Sequence, residues 1–255
     1  MKLEKHLSQG KLLYLSKHGD AISVSENDNF RWMAFNDVVQ SIMHRRKPYL
    51  LTLPHQIALL LPLLLFRPKN IVELGLGGGN LTRFLTHLST EINVTSLEYN
   101  QQVIDCFTEY FNVEQKIENI IHTDGLTWLA DKETTNIDWL ICDVYRSDEF
   151  GFNNIIKQLE ILTDKLNDNA CLSINLPDIS DEEINLCLSI LQQLQSNHHI
   201  SYFHIPSYLN IVIHLYPKHW PLHRLLKQKT KREHSYLSKR IFNRWRRFWP
   251  HGNSL

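Results

Sequence analysis

The sequence of 255 residues is poor in cysteine, and none of its four cysteines belongs to a C-x-x-C pair. This pattern favours neither a zinc cage nor a disulfide framework, so no metal site is predicted. The cysteines stand in apolar segments such as WLIC and ACLSI, as buried free thiols usually do. We therefore expect reduced thiols and a cytoplasmic protein. The four residues are Cys106, Cys142, Cys171 and Cys187.

Long apolar runs are also missing. The one continuous run, Ile57 to Phe66, is ten residues long and contains Pro62, whereas a transmembrane helix needs ~20 residues. The first residues, MKLEKHLSQG, lack the apolar core of a secretory signal. We predict no transmembrane segment and no signal peptide, and no internal repeat or low-complexity tract indicates a fibrous protein.

Neither sign of charge is in excess, because 27 Lys and Arg residues balance 27 Asp and Glu residues. The charges are nevertheless segregated. Residues 218–247 contain eleven bases and one acid, so the first 216 residues carry the other 16 bases and 26 acids, a charge of −10. Hydrophobic residues make up 43% of the chain, which is typical of a globular protein. At ~100–200 residues per domain, the length suits one large domain with an appendage.

The N-terminal part of the chain differs in pattern from the rest. Residues 11–43 alternate short β-like segments with turn signals, the pattern of β-hairpins. We predict a β-hairpin unit over residues 1–50. Residues 52–66 begin at Thr52 with Pro54 in the first turn, and they predict a helix that is apolar nearly all round.

From Asn70 onward, apolar strands alternate with helical stretches, which is typical of a parallel sheet with helices on both faces. The segment SYFHIPSYLNIVIHLYP predicts two strands around a Pro-Ser turn, with the last strand antiparallel. The predicted fold class is α/β, with a Rossmann-like, seven-stranded sheet of the class I methyltransferase type over residues 51–217. Residues 218–255 are predicted to form a basic helical tail. Because the last strand ends near Tyr216, we expect the sheet not to need this tail.

A glycine-rich turn follows the first of these strands. The segment ELGLGGG, residues 73–79, ends the strand and opens a helix. Glycines allow a sharp turn and a close approach to a ligand, which the free N–H groups of the helix start would face. Gly75, Gly77 and Gly79 are therefore candidate cofactor-binding residues. The G-x-G-x-G form favours a sulfonium nucleoside over NAD, and a tight turn without a ligand is the alternative.

Acids end the next three strands. Glu98 lies 23 residues after Gly75, where it is placed to accept hydrogen bonds from both ribose hydroxyls. Asp124, followed by Gly125, and then Asp143 end the following strands. Polar groups at the carboxyl ends of parallel strands mark the ligand crevice of an open α/β sheet. One such Asp alone is usually a helix cap, but three acids in register with a glycine turn favour a binding site.

With these residues in place, the sequence resembles the spermidine synthase-like proteins within the class I S-adenosylmethionine-binding fold. The resemblance covers residues 30–216 and rests on RWMAFNDVVQ, PHQ, the glycine turn running into LTRFL, LEYN, HTDG, LICD and NIVIHL. It implies a transferase of polyamine biosynthesis. The co-substrate would be S-adenosylmethionine or its decarboxylated form, without a metal, and the acceptor a small-molecule amine or other nucleophile. The resemblance leaves a homodimer open.

The resemblance also implies roles for single residues. Gln40 would contact the sulfur nucleoside, Glu98 its ribose and Asp124 the adenine amino group. Asp143 would face the sulfonium centre and the incoming amine as the catalytic carboxylate. His55 would line the amine channel and bind substrate, and a satisfied core histidine is the alternative.

Two departures from the family pattern concern the substrates. The family carries an acid inside the glycine turn, where this chain has Gly78. The family loop after the fourth strand reads D-S-x-D-P, whereas this chain reads D-V-Y-R-S-D-E, with Arg146 in place of the second acid. Asp148 or Glu149 is the candidate to replace that acid in substrate binding. Tyr145 is the candidate to order the first acid in catalysis.

Function is therefore open between two classes. One is a transferase, with aminopropyl transfer implied by the resemblance and methyl transfer favoured by the glycine turn without an acid. The other is a non-catalytic relative that keeps the fold while its tail binds a partner. The tail interleaves aromatic and basic residues, which suits an anionic membrane surface or a nucleic acid. Docking on the acidic body of its own chain or of a second subunit is the third alternative for the tail.

Overall fold

The computed structural model describes residues 9–16, 21–36, 38–131, 136–144, 152–177, 179–220, 236–248 and 251–254, with residues 152–155 described by their backbone alone. The helices are α1 (Pro54–Leu59), α2 (Asn80–Leu88), α3 (Gln101–Cys106), α4 (Gly125–Asp131), α5 (Phe152–Asp164), α6 (Asp181–Leu194) and α7 (Lys239–Trp245). The strands are β1 (Lys11–Leu15), β2 (Ile22–Glu26), β3 (Phe30–Phe35), β4 (Val38–His44), β5 (Asn70–Leu74), β6 (Asn93–Glu98), β7 (Ile120–His122), β8 (Trp139–Cys142), β9 (Cys171–Leu176), β10 (His198–His204), β11 (Ile211–Pro217) and β12 (Asn253–Ser254).

The first four strands form a separate antiparallel sheet in the order β1-β2-β3-β4, which confirms the antiparallel N-terminal prediction. Ile22, Val24 and Met33 on its buried face pack against α3 and the π-helical turn Phe107–Phe111 that follows α3. The small sheet is therefore held against the larger domain by apolar contacts, and its strand β4 lies beside the glycine turn.

The large sheet has the order β12-β10-β11-β9-β8-β5-β6-β7. The five neighbouring strands β9, β8, β5, β6 and β7 pair in parallel. Strand β11 lies between β9 and β10 and is antiparallel to both. This confirms the predicted mostly parallel sheet with a reversed last strand. The sequence did not predict β12, which pairs antiparallel with β10, because two residues carry no readable alternation.

Both faces of the large sheet are covered. Every residue of β9 and of β11 is buried, as expected for strands between two helical layers. Helices α1, α2 and α7 share one core with the sheet, and α5 and α6 share the other. All four cysteines are buried free thiols. None of the described helices has both the length and the apolar character needed to cross a membrane.

The prediction of one helix over residues 52–66 is wrong. Helix α1 ends at Leu59, and a short 3₁₀ helix, Leu61–Leu64, follows it. Pro62 explains the break, because proline has no N–H to donate and its ring clashes with the preceding turn. At the other end, the Thr52 hydroxyl donates to the carbonyl oxygen of Ile42 at 2.6 Å, which ties the start of α1 to β4.

A buried hydrogen-bond network ties α1 to the large sheet. Trp139 Nε1 donates to Ser173 Oγ at 2.9 Å, and Ser173 Oγ lies 2.8 Å from His214 Nδ1. His214 Nε2 lies 3.0 Å from the carbonyl oxygen of Ala58 in α1. A carbonyl only accepts, so Nε2 carries the proton and Nδ1 accepts from Ser173. Burial lowers the pKa of His214 to about 3, which keeps the ring neutral.

We expect acid to destabilise the fold through His214. Its pKa is ~6.5 in an unfolded chain and about 3 in the fold, so between these values only the unfolded chain binds the proton. The free energy of unfolding should then fall by up to ~1.4 kcal/mol per pH unit as the pH drops below ~6.5. Urea unfolding at a series of pH values measures this slope. His214→Gln should flatten it and the exposed His204→Gln should not; an unchanged slope in His214→Gln would assign the effect to other groups.

The expectation that the sheet does not need residues 218–255 is also wrong. Leu237, Phe242 and Trp245 are buried in the core that α1 and α2 share with the sheet. Trp245 stacks on Phe84 of α2 with ring centroids 5.6 Å apart. The described part of the tail is thus anchored by apolar side chains. The sequence shows that aromatic and basic residues are interleaved there, but not that the aromatic ones are buried.

Removing the aromatic anchor should destabilise the whole protein. Trp245→Ala is expected to lower the free energy of unfolding by ~3–5 kcal/mol, the usual cost of truncating a buried aromatic residue, as measured by urea unfolding. Phe248→Ala is the matched control, because Phe248 is 45% exposed. Since the anchor is apolar, about 0.5 M NaCl should leave it in place, although it screens exposed ion pairs. Faster tryptic cleavage of the tail in high salt would contradict an apolar anchor.

Candidate active site

A cavity of about 380 Å³ lies at the carboxyl ends of β5, β6 and β8, bordered by β4 and α1. Its size suits a small organic ligand. The structure brings eight of the predicted site residues together in its lining: Gln40, His55, Gly75, Gly77, Glu98, Asp124, Gly125 and Asp143. Two further predicted residues, Tyr145 and Asp148, lie outside the described residues.

The glycine turn forms the floor of the cavity. Gly75 has φ +89°, and a Cβ at this position would lie 2.5 Å from the carbonyl oxygen of Asp143. Only glycine fits there, because the turn needs both the positive φ and the close approach of two strand ends. Gly79 is not among the lining residues. It is the N-cap of α2, and a side chain on it would overlap Phe107.

The space for an acid inside the glycine turn is occupied. Gly78 N donates to Ser41 Oγ at 2.8 Å. A Cβ on Gly78 would lie 2.8 Å from Ser41 Cβ and 3.2 Å from Phe111 Cδ1. From the other side, the buried Arg83 donates to the carbonyl oxygen of Gly78, and its Nε donates to Pro48 O at 2.9 Å. Side chains packed around the turn therefore leave no room at Gly78 for the acid that the resemblance leads one to expect there.

Glu98 is fixed in orientation by backbone N–H groups. Oε2 accepts from Leu76 N and Oε1 accepts from Asn100 N, both at 3.0 Å. Burial raises the pKa of the Glu98 carboxyl, and these backbone hydrogen bonds oppose the rise. An oriented carboxylate at the cavity wall is able to accept hydrogen bonds from a pair of neighbouring hydroxyl groups.

A second buried carboxyl lies under the turn. Glu73 in β5 accepts hydrogen bonds from the hydroxyls of Thr82 and Ser96, the latter at 2.9 Å. Burial raises the pKa of Glu73 to about 7. Glu73 is the first residue of the glycine motif, and the sequence alone assigns it no role. Its contacts link β5 and β6 to the first turn of α2, and it also lines the cavity.

Asp124 serves as a helix cap and also lines the cavity. Its Oδ1 accepts from Thr127 N at 2.8 Å in the first turn of α4. Asp124 therefore caps a helix, which is the alternative role expected of an acid at a strand end. It does not remove Asp124 from the cavity wall.

Asp143 is held by a pair of asparagines that the sequence did not predict as site residues. Asn175 Nδ2 donates to Asp143 Oδ1 at 2.8 Å, and Asn210 Nδ2 donates to Asn175 Oδ1 at 3.1 Å. The second bond fixes which end of the Asn175 amide faces Asp143. The parallel register pairs Cys142 with Ile174, so the next residues on both strands are neighbours. The sequence does carry a signal, since Asn175 lies near the carboxyl end of the apolar strand β9 and Asn210 immediately precedes the apolar strand β11.

His55 and Gln40 contribute buried polar atoms that lack partners. Among the described residues, neither His55 Nδ1 nor Gln40 Nε2 has a hydrogen-bond partner, and both side chains line the cavity. Burial lowers the pKa of His55, and the carboxylate of Asp143 opposes this shift. Buried polar atoms are normally paired. Two unpaired ones at a cavity are consistent with groups that a ligand satisfies.

Comparisons with known protein sequences match two kinds of enzyme. A family model described as ribosomal RNA adenine dimethylase matches residues 55–180, just under half of the chain. The polyamine aminopropyltransferase of Clostridium beijerinckii is 34% identical over 88 residues, 32% of this chain and 30% of that protein. The polyamine aminopropyltransferase of Neisseria meningitidis serogroup A is 31% identical over 115 residues, 42% of this chain and 43% of that protein. The chain thus spans less than half the length of these curated relatives.

Solved structures share the fold at low sequence identity. A probable spermidine synthase from Corynebacterium glutamicum aligns with a TM-score of 0.66 and 15% identity, over 82% of this chain and 80% of that chain. A spermidine synthase in complex with the transition state analogue AdoDATO gives a TM-score of 0.65 and 14% identity, over 92% and 84%. Human methyltransferase-like protein 13 in complex with SAH gives 0.58 and 18%, over 77% and 93%.

The fold defines the class as a Rossmann-like α/β protein of the class I methyltransferase type. Within that class, this chain is similar to spermidine synthases and polyamine aminopropyltransferases. The comparisons therefore confirm the resemblance that the sequence motifs indicated.

We expect Glu98 to bind the ribose of a nucleoside ligand. Glu98→Gln should weaken the binding of methylthioadenosine by ~1–3 kcal/mol, the range for hydrogen bonds to a charged group, which is a loss of about 5-fold to 150-fold. Calorimetric titration measures this. The exposed Glu118→Gln is the matched control. An unchanged affinity in a Glu98→Gln protein that still unfolds cooperatively would refute the ribose assignment.

Proposed function

We propose that this protein is a spermidine synthase-like transferase that binds a sulfonium nucleoside and transfers an aminopropyl group to an amine. The observation that carries the proposal is one cavity with the oriented carboxylate Glu98 on one strand end and the amide-held carboxylate Asp143 on another. The similarity to polyamine aminopropyltransferases, and to a spermidine synthase in complex with AdoDATO, supports the same assignment.

The proposed chemistry needs a base beside the reacting carbon. A neutral amine attacks the carbon next to the sulfonium, the N–C bond forms, and the C–S bond breaks with its electron pair passing to sulfur. The amine must then lose a proton to a nearby acceptor that also holds it in line. We assign that acceptor to Asp143. Asn175 donates to its Oδ1, which leaves Oδ2 to face the amine, and Tyr145 and Asp148 stay in the proposal as further ordering and binding residues.

Methyl transfer from S-adenosylmethionine is the second candidate. The observation that favours it is the packing of Ser41 and Phe111 against Gly78, because no acid in the turn holds the free propylamine of a decarboxylated donor. A nucleoside-binding relative without catalysis is the third. All three candidate functions would use the glycine turn and Glu98 to bind a nucleoside. They differ in which sulfonium nucleoside is bound and in whether a group is transferred from it.

Calorimetric titration of the full chain tests the proposal directly. S-adenosylmethionine, decarboxylated S-adenosylmethionine and methylthioadenosine are compared at the same protein concentration. Tighter binding of the decarboxylated donor supports aminopropyl transfer. Tighter binding of S-adenosylmethionine supports methyl transfer instead, and no binding of any of the three refutes a nucleoside transferase.

Asp143→Asn should separate binding from turnover. We expect it to keep its affinity for methylthioadenosine and to lower turnover by ~10²–10⁴-fold, the usual contribution of a general base. Turnover is measured as methylthioadenosine release with the decarboxylated donor and a diamine. The exposed Asp131→Asn is the control. Normal turnover in Asp143→Asn would remove the residue from the mechanism.

A further inference from the structure

The described part of the tail carries an exposed basic face that lies outside the cavity. Four basic side chains in α7 and the turn after it are exposed: Lys239, Arg240, Arg244 and Arg247. At ~100° of rotation per residue, Lys239, Arg240 and Arg244 fall within an arc of about 140°. The buried Phe242 and Trp245 point away from that arc. Helix α7 is therefore divided into an apolar face that packs inward and a cationic face that meets solvent.

The cationic face is not neutralised by the part of the protein that the structure describes. Among the described residues, none of the four cations forms an ion pair. Glu91, one of the acids near the tail, accepts instead from the hydroxyl of Tyr236 at 2.9 Å. The sequence places more cations just before α7, in a segment outside the described residues: Arg224, Lys227, Lys229, Lys231 and Arg232.

The burial of the aromatic residues decides what kind of partner this face fits. A helix that binds a membrane surface inserts an apolar face into the lipid. Here Leu237, Phe242 and Trp245 are already packed in the core. Among the described residues of the tail, Phe248 is the one large hydrophobic side chain that is exposed, at 45%. The surface that residues 236–248 present to solvent is therefore mainly positively charged. A nucleic-acid duplex carries one negative charge per ~1.7 Å of its axis. Binding of a cationic surface to it is favoured because counterions are released from the phosphates.

We propose that the face formed by Lys239, Arg240, Arg244 and Arg247 binds the phosphate backbone of a nucleic acid. The binding is through charge and carries no base reading of its own. It is independent of the proposed transferase activity, because none of the four residues lines the cavity.

The test measures nucleic-acid binding by the full chain against salt. Fluorescence anisotropy follows a labelled RNA hairpin and a DNA duplex of equal length between about 50 and 200 mM salt, the range over which phosphate contacts change affinity most. The variant Lys239→Gln/Arg240→Gln/Arg244→Gln/Arg247→Gln should lose at least about tenfold in affinity. Its slope of log K against log salt should fall by about 3, since each phosphate contact contributes ~0.7–0.9. RNA and DNA that bind alike support a backbone contact, and a preference identifies the polymer.

The control removes four exposed cations elsewhere on the protein: Lys11, Arg46, Lys47 and Lys69, each changed to Gln. It lowers the net charge equally, so an equal loss of affinity in both variants would overturn a localised face. The proposal also fails if the unaltered protein binds neither polymer, or if it binds phosphatidylglycerol vesicles and no nucleic acid. If the fourfold variant does not fold, Arg240→Gln/Arg244→Gln replaces it, with a slope lower by about 1.5 expected on the same scale.

Discussion

The close approach of Gly75 to the backbone of Asp143 is the constraint on which the cavity depends. A side chain at residue 75 would collide with the Asp143 carbonyl, and Asp143 N also donates to Leu74 O at 2.9 Å. The two strand ends therefore meet without any side chain between them. Because Gly75 N in turn donates to Leu97 O at 2.9 Å, the ends of β5, β6 and β8 form one unit. Glu98 and Asp143 lie on the same cavity for this reason.

The N-terminal sheet is part of that unit, although its strands belong to another sheet. Ser41 of β4 accepts from the N–H of Gly78 in the turn, and Asn80 at the start of α2 donates to Ile42 O at 3.0 Å. These bonds bring Gln40 to the cavity wall. They also explain why residue 78 is a glycine, because Ser41 fills the volume that an acidic side chain at this position would need. Under the proposed function, donor preference would depend on β4 as well as on the glycine motif.

Much of the site could be predicted because its residues occupy positions that a linear sequence marks. Glycines after an apolar strand, and acids at the ends of the next strands, are visible without knowing how the strands pair. The Asn175 and Asn210 pair was not, because its meaning depends on the register of β9 and on the reversal of β11. The tail was misjudged for a similar reason. Phe242 and Trp245 are three residues apart, on one side of a helix, but whether such a side faces a core or solvent depends on tertiary contacts with Phe84.

The two-residue strand β12 has a consequence for self-association. It pairs with Ser201 and Tyr202 in the middle of β10, the strand that would otherwise end the sheet on this side. An uncovered edge strand presents free N–H and C=O groups to any other extended chain and invites edge-to-edge aggregation. By pairing β12 with the middle of β10, the chain covers part of its own sheet edge. Proteins shortened at this end would therefore be prone to form intermolecular sheets as well as to unfold.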